Sequence, residues 1–229
     1  MTDAHDHDIA MMFDRIAARY DVLNRVLSFG TDLSWRRRAI ARAEIRPGMT
    51  VLDVGAGTGD LSFDAAARGA EVIAIDLSAG MLAVLARRST DAQRARIRAL
   101  VGSAESLPLP DACVDRIVTG FTVRNVGDLG RAFAEFRRVL RPGGRAVVLE
   151  LSHPPGAAFA GLYSFYFSSM VPALAILLGG DRRAYRYLPE SLRAFPDPET
   201  LAALLRDAGF RVTFERLTAG IAAIHVAEV

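Results

Sequence analysis

The chain has 229 residues, with 28 basic against 26 acidic side chains, a formal net charge of +2, and 51 % hydrophobic and 24 % charged residues. That balance excludes a disordered tail, a fibre and a strongly basic nucleic-acid scaffold. Every basic residue is arginine, which excludes lysine Schiff bases and the lysine-bearing phosphate loop; the single Cys113 excludes an intrachain disulfide and a thiolate metal cage.

Met1–Asp8 is polar and acidic. It lacks the basic-then-apolar order of a signal peptide and reads as a floppy tail, with no metal site at His5 or His7. Ile9, Met12, Phe13, Ile16, Tyr20, Leu23 and Leu27 recur at three- and four-residue spacing, which predicts one amphipathic helix. A break at Gly30 and a second helix through Trp35 and Ile40 complete an N-terminal helical cap over 1–46.

From 47 to 229 strands and helices alternate. Strands are predicted at Thr50–Val54, Glu71–Ile75, Ile97–Val101, Asp115–Thr119 and Arg145–Leu151. Helices are predicted at Asp60–Arg68, about Ser78–Arg88, and Leu129–Leu140 before Pro142-Gly143-Gly144. Alternation with apolar strands implies a parallel sheet covered on both faces. Glu199–Ala208 reads as a helix, and Phe210–Leu217 and Ile221–Val229 as a hairpin. Residues 152–196 form an insertion. Leu151–Gly180 carries no Asp, Glu, Lys or Arg, and its last 24 residues would span about 36 Å as one helix. A membrane span there would pull one sheet apart. Serines and Pro172 favour two apolar helices lying over the site as a lid, against plain core packing.

Val51-Leu52-Asp53-Val54-Gly55-Ala56-Gly57-Thr58-Gly59-Asp60 joins the first strand to its helix. Glycines let the backbone turn sharply and a ligand approach closely. Asp76 ends the next strand, 17 residues after Gly59, where a carboxylate accepts ribose hydroxyls. The dinucleotide fingerprint fails, because Asp60 stands where its third glycine belongs. The G-x-G-x-G spacing after Asp53 resembles motif I of class I S-adenosylmethionine-dependent methyltransferases. The alternative is a tight turn in an unrelated α/β fold.

Tyr20–Ser28 with Trp35, Phe121–Val126, Arg138–Gly144 with Glu150-Leu151-Ser152, Tyr185–Arg193 and Leu217–Ile221 stand in order along the chain. They resemble segments of the ubiquinone/menaquinone biosynthesis C-methyltransferases, over roughly 9–228. The resemblance implies a class I fold: a seven-stranded doubly wound sheet of order 3-2-1-4-5-7-6 with N-terminal helices and the apolar lid. It implies S-adenosylmethionine as cofactor, S-adenosylhomocysteine as product, and cofactor contacts from Asp53, Gly55, Gly57, Thr58, Gly59, Asp76, Ser103, Ala104 and Gly120. It also implies C-methylation of a polyprenyl hydroquinone, demethylmenaquinol to menaquinol, with the ubiquinone precursor as the alternative acceptor. Two departures stand out: Asp32 where the family has histidine, and Gly120 where it has a serine near the cofactor.

Arg124 stays protonated, so its expected role is oxyanion stabilisation or orientation of a water that takes the proton. Asn125 is expected at the same ring oxygens, and Tyr20 over the cofactor, donating to substrate. His153, beside a strand end, is the candidate base, against a loop imidazole satisfied by backbone. Glu150 caps local N–H groups or acts in catalysis. Arg36-Arg37-Arg38 meets lipid headgroups or is a solvated helix face. The partner expected is a lipid quinol, with no nucleic acid, in the cytoplasm at the inner face of the membrane; a homodimer is compatible. Another phenolic acceptor and a silent cofactor-binding partner are the rival readings.

Overall fold

Thr50–Val54 (β1) is buried on both faces: Val51, Leu52 and Val54 are almost wholly out of solvent. That is the signature of a central parallel strand. The computed structural model describes residues 4–17, 20–154 and 182–229, with backbone alone at Leu23, 182–186 and Leu188. Glu71–Asp76 (β2) and Val114–Gly120 (β4) flank β1 in parallel, Ile97–Val101 (β3) extends one side, and Leu140–Leu151 (β5) the other. Arg211–Leu217 (β6) and Ala222–Glu228 (β7) form an antiparallel hairpin, with β7 against β5. The order is β3-β2-β1-β4-β5-β7-β6, as expected from the sequence.

The helices are Ala4–Ile16 (α1), Tyr20–Leu27 (α2), Thr31–Arg42 (α3), Asp60–Ala66 (α4), Ala79–Arg88 (α5), Asp91–Arg94 (α6), Leu129–Val139 (α7), Arg182–Ala194 (α8) and Pro198–Asp207 (α9). Their starts follow local chemistry. Ser78 and Asp128 accept the N3 amide at the heads of α5 and α7, and Asp197 does so at α9 with Pro198 at its first turn. One face of the sheet packs Leu52, Val54, Ile117 and Val148 against Phe133, Phe136, Leu201 and Leu205 of α7 and α9. The other packs Val51, Val118, Val147 and Leu149 against Trp35 and Ile40 of α3 and Leu61 and Ala65 of α4. Trp35 Nε1 also donates to Thr218 Oγ1 at 2.8 Å, tying α3 to the hairpin turn.

Two expectations change at the N-terminus. The predicted single helix is two elements, α1 ending at Ile16 and α2 beginning at Tyr20, with the apolar spacing continuing from one to the other. The expected floppy tail is helical from Ala4: His5 Nε2 lies 2.9 Å from the Asn125 carbonyl, and Asp6 is buried. Most of the lid, including the break at Pro172, lies outside the described residues. Among the described residues no helix is long and apolar enough to cross a membrane.

Candidate active site

The loops at the carboxyl ends of β1, β2, β3 and β4 surround a cavity that is also lined by Asp6, Ile9 and Phe13 of α1 and Tyr20 of α2. Open parallel sheets bind ligands at this edge. Gly55, Gly57 and Gly59 all take φ between +54° and +98°. A Cβ on Gly55 would overlap the Thr122 side chain, so glycine is what lets the β1 loop lie against the β4 loop. Around Gly57 a Cβ would meet nothing, because its open side faces the cavity. Gly59 instead packs on Phe63 and Leu85 and does not line the cavity.

Asp76 forms part of the cavity wall. Its Oδ2 accepts from Gly57 N and its Oδ1 from Ser78 N, both at 2.8 Å. Burial raises its pKa, and the two backbone donors oppose that. Each oxygen keeps a lone pair for a ligand hydroxyl. Thr58, Ser103, Ala104, Gly120, Asn125 and Tyr20 also line the cavity. The Thr58 hydroxyl donates to Asp21 Oδ1 at 2.6 Å, and Asp21 Oδ2 accepts from Arg88 at 2.8 Å, which fastens α2 over the loop. Asn125 Oδ1 is buried and has no hydrogen-bond partner among the described residues.

Asp53 lies beneath the loop rather than in the cavity wall. It is fully buried, with Oδ2 accepting from Ser62 at 2.6 Å and Oδ1 unpartnered. Burial pushes its carboxyl up to about 7, against the Ser62 hydroxyl and the Arg36 charge. The unfolded group loses its proton near 3.8, so stability falls as pH rises from there to about 7, by on the order of 4 kcal/mol in all. Asp53→Asn keeps an acceptor for Ser62 and is expected to flatten urea midpoints over that range. A slope matching wild type would remove Asp53 as its source.

Arg124 and Glu150 form a second buried group beside the cavity. Arg124 Nη1 lies 2.5 Å from Glu150 Oε1, and the two side chains are 9 % and 1 % exposed. Glu150 also accepts from Arg124 N at 3.3 Å and Leu151 N at 2.9 Å, so it caps local amides and pairs at once. Burial opposes the guanidinium charge, but Glu150, Tyr20 and Tyr187 together carry its pKa above the ordinary value. Arg124 Nε has no partner among the described residues. His153 is elsewhere: its Nε2 lies 3.2 Å from the Phe195 carbonyl and it does not line the cavity.

Arg36 escaped the sequence reading, which left it with its two neighbours as a headgroup site or solvated face. It is the one basic side chain among the described residues lining the cavity, which Asp6, Asp60, Asp76 and Glu105 also line. Its guanidinium sits 4.9 Å over the Phe121 ring, with Nε 3.8 Å from Asp32 and from Asp60. A signal was present. Residues 32, 35, 36, 39, 40 and 43 recur at helical spacing, and Asp32, Trp35, Ala39, Ile40 and Ala43 are all buried. Arg37 and Arg38 fall outside that stripe and are exposed. Asp32 accepts from Ser28 Oγ at 2.7 Å, which orients the carboxylate beside Arg36. At Gly120 a Cβ would come 3.0 Å from Leu61 and 3.4 Å from Arg36 Nη1, so the missing serine leaves room for the guanidinium.

Four carboxylates around one guanidinium suit a ligand with excess positive charge and one anionic end. S-adenosylmethionine has that form, with a sulfonium, an ammonium, a carboxylate and a ribose diol. The donor and acceptor set therefore fits it. Solved structures with this fold include a SAM-dependent methyltransferase from Aquifex aeolicus, at TM-score 0.63 and 20 % identity over 85 % of this chain and 89 % of that one. They also include the [4+2]-cyclase SpnF, at TM-score 0.71 and 20 % identity over 96 % and 94 %. The fold alone thus does not set the reaction. A demethylmenaquinone methyltransferase of Thermus thermophilus is 48 % identical over 95 % of this chain and 99 % of its own length. The ubiquinone/menaquinone biosynthesis C-methyltransferase UbiE of Acidiphilium cryptum is 44 % identical over 96 % and 89 %. The model of the ubiE/COQ5 methyltransferase family matches residues 1–228, and the chain, an S-adenosylmethionine-dependent methyltransferase, belongs to that family.

Proposed function

We propose that this enzyme methylates a ring carbon of a polyprenyl hydroquinone, with demethylmenaquinol as acceptor and menaquinol as product. The observation that carries the reading is the buried Arg124–Glu150 pair set beside an acid-lined cofactor cavity, in a chain whose named relatives act on such quinones. S-adenosylmethionine, when bound, supplies an electrophilic methyl on a positively charged sulfur. Asp76 would hold its ribose hydroxyls, Gly55 and Gly57 leave room for its chain, and Arg36 would take its carboxylate. The acidic lining favours the cationic cofactor over the uncharged-sulfur product, which helps product leave.

A ring carbon becomes nucleophilic when a neighbouring hydroxyl loses its proton. Arg124, permanently charged and held by Glu150, stabilises that oxyanion. Tyr20 lines the same cavity, Tyr187 lies within electrostatic reach of Arg124, and both can hold the ring oxygens. Asn125 adds an amide at the cavity wall. His153, bonded to backbone outside the cavity, is given no step. The uncharged stretch Leu151–Gly180 supports peripheral contact with a bilayer, where a prenylated acceptor resides.

The test is transfer of labelled methyl from S-adenosylmethionine in detergent to demethylmenaquinol, a tail-less naphthohydroquinone and a prenylated benzoquinol. Product from demethylmenaquinol above the other two is expected. Cofactor binding with no product from any of the three would overturn the substrate reading.

A further inference from the structure

The first turn of α1 places a carboxylate in the cavity wall. Asp6 is 6 % exposed and lines the cavity, yet it has no hydrogen bond or ion pair among the described residues. Neither carboxylate oxygen is sealed from solvent, so the group lies at the cavity surface with no partner among the described residues. That leaves both oxygens open to a donor that arrives with a ligand.

The path of α1 shows which part of the ligand that is. Next to Asp6, His5 bonds the Asn125 carbonyl after β4, and a Cβ on Gly127 would lie 3.4 Å from the His5 ring and 3.2 Å from Glu105 after β3. Two and a half turns on, Asp14 Oδ1 accepts from Ser78 Oγ at 2.5 Å and Gly80 N at 2.8 Å, after β2. The helix therefore crosses from the β4 and β3 loops to the β2 loop. Beneath it Ile9, Phe13, Leu77, Met81, Ala104 and Val126 line an apolar slot next to Asp76. With ribose hydroxyls at Asp76, a flat base enters that slot with its far edge toward Asp6. Glu105 lines the cavity too, but its Oε1 is taken by Gly127 N and Asp128 N, which leaves Oε2 as the rival acceptor that the Asp6 variants test.

We propose that the Asp6 carboxylate accepts a hydrogen bond from the exocyclic amine of the cofactor's adenine, so that α1 reads the base as well as covering it. This rests on the cofactor reading above. It gives the N-terminal helix a share in ligand specificity.

The test is a calorimetric cycle on the full chain with two ligands: S-adenosylhomocysteine, and its analogue in which unsubstituted purine replaces adenine. Wild type is expected to prefer the adenine compound by about tenfold, the scale of one hydrogen bond to a charged group. Asp6→Ala is expected to weaken S-adenosylhomocysteine about tenfold and to leave the purine analogue within about twofold, which removes the preference. Asp6→Asn keeps a neutral acceptor and is expected to fall between the two. The same preference in all three proteins overturns the proposal while leaving the cofactor reading standing. Failure of wild type to bind S-adenosylhomocysteine overturns both.

Discussion

Replacing Arg124 by alanine is expected to lower methyl transfer by about 10²–10⁴-fold, the range for losing a preorganised charge or proton-transfer group, with cofactor affinity nearly unchanged. The affinity should hold because Arg124 does not line the cofactor cavity, whereas its partner Glu150 ends the core strand beside it. The single variant also leaves Glu150, 1 % exposed, as an uncompensated buried carboxylate. Breaking one side of such a pair costs about 3–5 kcal/mol of stability. Low turnover in Arg124→Ala could therefore reflect a weakened fold. Replacing both partners separates the two causes, because apolar groups of similar volume in place of a buried ion pair are often neutral or stabilising. The double variant Arg124→Met/Glu150→Leu is expected to recover the urea midpoint and to stay inactive. Turnover near wild type in that double variant would take the guanidinium out of the mechanism.

How far the sequence foretold this arrangement differs from element to element, for physical reasons. All seven strands were legible: the inner ones, buried on both faces, read as short apolar runs, while the half-exposed edge strands were placed by the strand–helix alternation for β3 and by the tight Thr218-Ala219-Gly220 link for β6. The split between α1 and α2 was not. Ile16 and Tyr20 keep a four-residue spacing, so the periodicity gives no sign that α1 ends before α2 begins. Asp76, Thr58, Ser103 and Ala104 line the cavity because strand ends and the loops that follow them are set there by the topology. Asp53 and Gly59 were found as part of the loop, but their roles are support: one bonds Ser62 beneath it and the other packs on α5. Asp6 was missed because it sits among like residues and only tertiary packing turns it inward; Arg36 was missed although its place in the buried stripe of 32, 35, 39, 40 and 43 sets it apart from Arg37 and Arg38. His153 illustrates the converse. Its position beside a strand end suggested a base, and the Phe195 carbonyl occupies its ring nitrogen.

Asp76→Ala is expected to weaken S-adenosylhomocysteine binding by at least about 10²-fold. Two ligand hydroxyls on one carboxylate, at about 1.5–3 kcal/mol for each hydrogen bond to a charged group, account for that loss. The same carboxylate organises its surroundings, since Gly57 N and Ser78 N both end on it. Asp76→Asn is therefore expected to be no rescue. An amide turns one of its two acceptors into a donor, which would face a backbone N–H. The pH dependence has a definite sign. Burial raises the Asp76 pKa, and only the ionised carboxylate offers acceptors to both hydroxyls and both amides. Affinity through Asp76 should thus fall as pH drops, and should begin to fall above the ordinary aspartate range. Calorimetry from neutral to mildly acidic pH reads both effects. Unchanged affinity in Asp76→Ala at neutral pH would remove the ribose from the β2 edge, and with it the orientation on which the assignments of Arg36 and Asp6 depend.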